Sequence, residues 1–337
     1  MVTELNCVTD VVAAQDLIEQ SGLAFEDGFD DLVGVFENNE LVAVGARAGN
    51  ILKMFAVEPA HRSGDLLGEL VTNLVNRGFS AGFDPLFVYT KPEYATSFEA
   101  LNFSLLASHE QVALLEYGKG LKHWLASLRP LVRPGHNGAV VMNCNPFTLG
   151  HRHLVESAAR QVDNLYLFVV REDNSVFPFE VRERLVRAGV ATIPNVQVLD
   201  TSHYAVSNIT FPAYFLDEHN PVAVIQMELD LNLFAAQIAP FFVITRRFAG
   251  TEPYCDVTGG YNEAMKRVLP AYGIEVVEIE RKRSDQAAIS ASQVRALLAR
   301  GQFGALAELV PATTLDFLCS AEAAPIREGL QRNRGRH

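Results

Sequence analysis

The chain has 337 residues, 49% hydrophobic content and a formal net charge of −12, enough for two domains with real cores. That charge argues against an extended nucleic-acid surface and requires any anionic ligand to be held by a local basic site. Cys7, Cys144, Cys255 and Cys319 are far apart and form no CxxC, no apolar run reaches a membrane span, and MVTELNCVTD lacks a signal-peptide pattern. These features exclude a disulfide framework and a zinc ribbon, and they suit a cytoplasmic protein.

In chain order, the N-terminal half alternates short strands and helices. Strands are expected at Leu32–Glu37, Leu41–Ala48, Ile51–Val57 and Pro85–Thr90, and helices at Gly64–Arg77 and Glu93–Leu101. A helix at Leu121–Leu128 precedes a linker containing RPGHNG, which puts a boundary near residue 130. The C-terminal half repeats strand–helix units. Its strands are expected at Ala139–Met142, Leu165–Val170, Val196–Leu199, Val222–Gln226, Phe241–Thr245 and Glu275–Ile279, with helices such as Pro178–Ala188 and Asn262–Leu269 between them. That alternation predicts an α/β protein whose second domain is a doubly wound parallel sheet. The expected organisation is residues 1–130, residues 131–325 and a polar, basic, frayed tail at 326–337.

The most informative stretch is AVVMNCNPFTLGHRH, residues 139–153. A buried strand breaks through a polar turn into a helix with Leu154, Val155, Ala158, Ala159 and Val162 at helical spacing. The first amides of such a helix have no intrahelical partner and its macrodipole favours an anion, so the turn is a natural phosphate cradle. Thr148 places a hydroxyl there and His151 an imidazole, and Gly150 allows close approach to the backbone. Far downstream, Ile289–Arg295 reads ISASQVR. Ser290 and Gln293 have capping-box spacing, and the Arg295 fork in the next turn could grip a phosphate. Alone, the first motif is equally an ordinary turn and the second a capped surface helix with a solvated arginine.

Together and in this order, the two motifs resemble those of the HxGH nucleotidyltransferase superfamily, with Thr148 and His151 at the ends of the first motif. Ile289, Ser290, Ser292 and Arg295 match the later ISSTxxR pattern, with Ala291 replacing one serine. Further strings extend the resemblance: Ser207–Pro212 (SNITFP), Arg247–Cys255 (RFAGTEPYC), Tyr261-Asn262 and Glu278–Lys282 (EIERK). With them nearly the whole chain is similar to the citrate lyase ligase family.

That resemblance implies an N-terminal GNAT-like α+β domain joined to an adenylylating domain. It implies a reaction in which ATP and acetate acetylate the thiol of the phosphoribosyl-dephospho-CoA group on the lyase acyl-carrier subunit, releasing AMP and pyrophosphate. It places Thr148 and His151 on the triphosphate and Ser290, Ser292 and Arg295 on its β- and γ-phosphates. It puts Asn143, Asn145, Gly150 and Arg247 among the phosphate or acetate contacts, and it implies Mg²⁺ with the nucleotide. The alternatives are another cofactor-making nucleotidyltransferase with a GNAT-like appendage, and a non-catalytic carrier-binding module.

The acetyltransferase-like half departs from its pattern. Around Glu58–Leu66, His61 occupies the Q/R position of the expected pyrophosphate loop and Leu66 its last small position. Phe98 stands where a tyrosine general acid is common, so this half is expected to lack acetyltransferase activity of its own. It would hold the CoA-like arm or the carrier protein, or serve as structure alone. Among the remaining residues, Glu228 and Asp230 are expected beyond the strand Val222–Gln226, near the ribose or Mg²⁺, or as acids at a helix start. Arg246 and Arg247 are expected to close the strand Phe241–Thr245. Arg182 and Arg184 are read as substrate contacts or a solvated helix face. His151 and His153 are two apart on a helix and do not share a face, which argues against a joint metal. Cys144 is read as a packed, inert thiol. The chain has no GxSxG, Walker or GxGxxG motif.

Overall fold

A computed structural model describes residues 1–62, 64–171, 175–205, 222–252, 256–284 and 287–334. The family-like strings Ser207–Pro212 and Pro253–Cys255 lie outside the described residues. The chain divides into two compact units, Met1–Ser127 with Val206–Ala236, and Leu128–Ala205 with Gln237–His337.

The first unit is a seven-stranded sheet. Its elements are β1 (Val2–Glu4), α1 (Val8–Gln20), β2 (Asp31–Glu37), β3 (Glu40–Ala48), β4 (Ile51–Val57), α2 (Leu66–Ser80), β5 (Phe87–Thr90), α3 (Ala95–Glu99), β6 (Phe103–Ser108), β7 (Ala113–Tyr117) and α4 (Gly120–Leu128). The strand order is β1-β2-β3-β4-β5-β7-β6. Asn38 and Asn39, with φ of 50° and 68°, make the two-residue turn between β2 and β3. Asparagine tolerates that left-handed backbone, and two such residues match the twist of a hairpin. α2 packs its apolar stripe of Leu70, Val71, Leu74 and Val75 into the core. β4 and β5 run parallel and pair at Ile51 with Phe87 and Leu52 with Val88. Beyond that register lies a cavity of about 280 Å³, lined among others by Phe55, Val57, Leu67, Thr90, Lys91 and Phe98.

The second unit is built on β8 (Asn137–Met142), α5 (Leu149–Ala159), β9 (Asn164–Val169), α6 (Phe179–Val190) and β10 (Val196–Asp200). α7 (Val222–Leu233) clusters with the first unit. The second unit resumes with α8 (Ala239–Phe242), β11 (Ile244–Gly250), α9 (Asp256–Val268) and β12 (Glu275–Ile279). A short ribbon of β13 (Arg283–Ser284) and β14 (Ala287–Ala288) then leads to α10 (Ala291–Ala299), α11 (Ala312–Cys319) and α12 (Ala324–Arg334). Its sheet is wholly parallel, in the order β10-β9-β8-β11-β12. Leu165 through Val169 are all buried, as expected of a strand covered on both faces. The chain order reverses between β8 and β11, and ligands of such sheets bind beyond the carboxyl ends at that switch point.

Three expectations differ from the structure. Val222–Gln226 is the first part of helix α7, which a π-helical turn, Phe234–Ile238, joins to α8. Apolar periodicity does not separate a buried strand from a buried helix over five residues, and here the length of the run decides for helix. The stretch Val222–Phe242 is 21 residues long with a mean hydropathy of 1.3, spanning length by composition, and half of that window is buried within the protein. Phe241–Thr245 is also no strand: α8 ends at Val243 with φ of 53°, and β11 starts at Ile244. Arg246 and Arg247 therefore sit inside the strand. Finally, the tail is helical through Arg334: Ile326 and Leu330 pack against the core of the second unit, and Arg327 Nη1 donates to the carbonyls of Leu318 and Ser320 at 2.8 and 2.7 Å at the end of α11.

Arg182 locks the loop ends above the parallel sheet. It is fully buried, and its Nη1 donates to Asn143 O at 2.8 Å, Asn143 Oδ1 at 2.6 Å and Val170 O at 2.8 Å, while Nε donates to Phe177 O at 2.9 Å. It is neither a solvated residue nor a substrate contact, and Arg184 pairs with exposed Glu322 at 2.6 Å. Arg182→Met leaves three carbonyls, those of Asn143, Val170 and Phe177, without their charged donor. A loss of about 3 kcal/mol or more is expected in urea unfolding, since bonds to charged groups are worth roughly 1.5–3 kcal/mol each. An unchanged midpoint would show that water replaces the fork at no cost.

Candidate active site

The turn after β8 and the head of α5 form one wall of a cavity of about 750 Å³ in the second unit. Its lining contains Asn143, Asn145, Thr148, Gly150, His151, Arg247, Ser290, Ser292 and Arg295. The structure thus brings nine of the sequence-selected residues to one place. Glu228 and Asp230 lie on helix α7 of the first unit rather than beyond a strand, and Glu228 Oε2 is 2.7 Å from His109 Nε2.

Thr148 is the N-cap of α5 and is almost fully buried. Its Oγ1 accepts from the His151 amide at 3.2 Å, and the Thr148 amide donates to His151 Nδ1 at 3.0 Å. An Nδ1 that accepts a backbone N–H carries no proton, so the neutral ring is protonated at Nε2. Burial, and next the nearby Arg281 cation, lower the His151 pKa to about 4. Phe147 stacks on the ring with centroids 5.8 Å apart and planes 19° apart, which holds its direction. The result is a neutral imidazole at a helix N-terminus, with Nε2–H as its donor.

Leu149 N–H donates to Leu309 O at 2.8 Å. A Cβ on Gly150 would stand 3.0 Å from Ile289 O. Glycine is therefore needed here for the contact between the two motifs. Ser290 caps α10 by accepting from the Gln293 amide at 3.1 Å. Arg295 Nη1 donates to Asn145 O at 2.5 Å and Nη2 to Ser292 Oγ at 3.0 Å, which fastens the second motif to the first. Burial pulls the Arg295 guanidinium below its ordinary value, and it remains a cation. Asn143 and Asn145 use their side chains to shape the turn: Asn143 Nδ2 donates to Ser175 Oγ at 3.0 Å, and Asn145 Oδ1 accepts from the Phe177 amide at 3.0 Å. Cys144 is buried with φ of 54°, and burial pushes its thiol far up, which leaves it unreactive.

Arg247 enters the cavity wall from within β11 and is buried. Sequence reasoning did not single out Arg281, Glu252 or Asn262 for the site, although each falls in or beside a family-like string. Arg281 is ion-paired with Glu252, and Asn262 Nδ2 donates to Gly250 O at 2.9 Å and Glu278 Oε1 at 3.0 Å. Among the described residues, no three His, Cys, Asp or Glu side chains converge as metal ligands.

In the first unit, Phe98 is buried between Phe55 and Phe103, each 5.5 Å away edge to face. It is a core residue lining the β4–β5 cavity and has no proton to donate. His61 lies 3.2 Å from both Glu37 and Glu58.

A parallel sheet in this order, with a Thr–His helix start at its switch point and a Ser–Arg helix start facing it, defines a nucleotidyltransferase-like α/β protein. The family model for the citrate lyase ligase C-terminal domain matches residues 137–318. The citrate (pro-3S)-lyase ligase of Escherichia coli K12 is 41% identical over 309 residues, covering 89% of this chain and 88% of that protein. Its counterpart in Klebsiella pneumoniae is 40% identical over 313 residues, 91% and 92% of the two chains. A phosphopantetheine adenylyltransferase of Staphylococcus carnosus is 39% identical over 56 residues, 16% of this chain and 35% of that protein. The chain belongs to the citrate lyase ligase family.

The depressed His151 pKa has a signed consequence. Its folded value of about 4 lies below the ordinary 6.5. The neutral ring thus contributes stability that is present above about pH 6.5 and is lost as the pH falls toward 4. Side-chain ¹⁵N NMR of the ligand-free protein should show an Nε2-protonated His151 that stays neutral at pH 5.5. Titration near 6.5, or an Nδ1-protonated ring, would contradict the capping geometry.

Proposed function

We propose that this chain activates acetate with ATP and acetylates the thiol of a CoA-like prosthetic group, phosphoribosyl-dephospho-CoA, on the citrate lyase acyl carrier. The observation that carries the reading is the 41% identity to a citrate (pro-3S)-lyase ligase over 89% of the chain, and the cavity chemistry agrees with it. In the first step an acetate oxygen attacks the α-phosphorus. The bond to the bridging oxygen breaks, its electron pair leaves with pyrophosphate, and acetyl-AMP forms. Acetate is an anion at neutral pH, so this step needs no base; it needs positioning and charge stabilisation. His151 Nε2–H and the Gly150 amide donate to phosphate oxygens, Thr148 holds His151 in its tautomer, and Ser290, Ser292 and Arg295 bind the β- and γ-phosphates. Arg247 supplies a further cation for phosphate or acetate. Mg²⁺ accompanying the nucleotide would neutralise phosphate charge.

In the second step the thiolate sulfur attacks the acetyl carbonyl carbon. The bond to AMP breaks, AMP leaves with the electron pair, and the thiol proton passes to solvent. The β4–β5 cavity of the first unit is the place we assign to the prosthetic arm; Phe98 supports binding there without acid catalysis. The ATP requirement and the widely spaced cysteines fit a cytoplasmic setting.

Labelled acetate should transfer to deacetylated carrier with stoichiometric AMP and pyrophosphate, and only when ATP is present. ATP consumption that depends on a phosphorylated pantetheine precursor instead would favour the cofactor-making reading. His151→Ala should lower kcat by about 10²–10³-fold, as loss of a positioned donor does; near-normal turnover would remove His151 from the mechanism. Phe98→Tyr should create no acetyltransferase activity with acetyl-CoA and a free amine. Its appearance would show that the first unit is an acetyltransferase lacking one hydroxyl.

A further inference from the structure

We propose that Arg281 is a further phosphate-contacting residue of this site, a cation held by Glu252 whose remaining N–H groups take the phosphoryl oxygens on which His151 also acts. The proposal rests on the reading of the cavity as an ATP site. Arg281 lies just past the carboxyl end of β12 and lines the same cavity as His151 and Arg295. Its stem runs beside Gly250 at the end of β11, with Cγ 3.8 Å from where a Cβ on that glycine would stand. It therefore sits on the β11–β12 side of the switch point, while His151 comes from the β8 side.

The bland account is a clamp joining the ends of two strands. Backbone groups already do that work. The Thr251 amide donates to Ile279 O at 3.0 Å, and Thr251 Oγ1 accepts the Arg281 amide at 3.4 Å. The guanidinium is not needed for the strand ends to meet. It has five N–H donors, and a single carboxylate occupies at most part of that fork. Glu252 is almost fully buried while the Arg281 side chain keeps 27% of its exposure. Both residues line the cavity, and there the largely buried Glu252 is a fixed counter-ion for a cation that keeps part of its surface exposed. Its charge reaches the His151 ring, since it helps to keep that ring neutral. Two donors that converge from opposite strands, one neutral and one charged, suit the phosphate that changes bonds.

The test is Arg281→Met, which keeps the stem and removes the charge, beside Arg281→Lys, in the full chain. Three readouts are ATP binding by calorimetry without acetate, acetate-dependent ATP–pyrophosphate exchange, and the His151 titration by NMR. The Met variant should bind ATP about tenfold or more weakly and exchange on the order of 10²-fold more slowly. Its His151 pKa should rise above that of the wild type, and Lys should restore part of each. Wild-type ATP affinity and exchange in the Met variant would overturn the proposal. So would losses that track a lower melting temperature while the His151 pKa stays unmoved. If the wild-type chain shows no acetate-dependent exchange, the functional reading fails, and ATP affinity with the His151 titration still decides the role of Arg281.

Discussion

The site depends on the reciprocal hydrogen bonds between Thr148 and His151 at the head of α5. A helix start leaves several amides without partners, and most sequences satisfy them with a polar side chain or with water. Here the N3 side chain is an imidazole rather than a carboxylate. The same two bonds therefore close the helix end, set the ring tautomer and leave an uncharged donor at the positive end of a helix. A glutamate at that position would cap equally well but would bring a negative charge in place of an uncharged donor.

That cap is useful only because other residues hold the turn against it. Buried Arg182 gathers carbonyls from the turn after β8, the end of β9 and the start of α6. Arg295 reaches from α10 to the carbonyl of Asn145, and Gly150 lets the backbone of Ile289 approach. A protein with a net charge of −12 thus concentrates Arg247, Arg281 and Arg295 in one cavity. Placed in partly buried surroundings, those cations act on a phosphate far more strongly than exposed lysines would.

The strands Ile51–Val57 and Glu275–Ile279 were legible to the residue, and the parallel character of the second sheet followed from alternating strands and helices. Both capped helix starts were legible because caps leave their mark within three or four residues. The failures have two causes. Val222–Ile225 is a short apolar run, and such a run carries no period that separates helix from strand. Arg182 has the composition of a surface residue, and only the carbonyls that converge on it from three segments explain its burial. The tail likewise is tied down by partners outside it: Ile326 and Leu330 pack on the core, and Arg327 donates to carbonyls that the tail itself does not contain.

By itself the sequence determined the strand–turn–helix of residues 139–153, the capped start of α10, the order of most elements and the family. These depend on residue identity and on neighbours a few positions away. Tertiary structure alone decided that His151 is neutral, that Arg281 and Glu252 belong to the cavity, and that Asn143 and Asn145 shape the turn with their side chains. Burial, charge proximity and hydrogen bonding between distant segments set those properties, and none of them exists until the sheet brings the strand ends together.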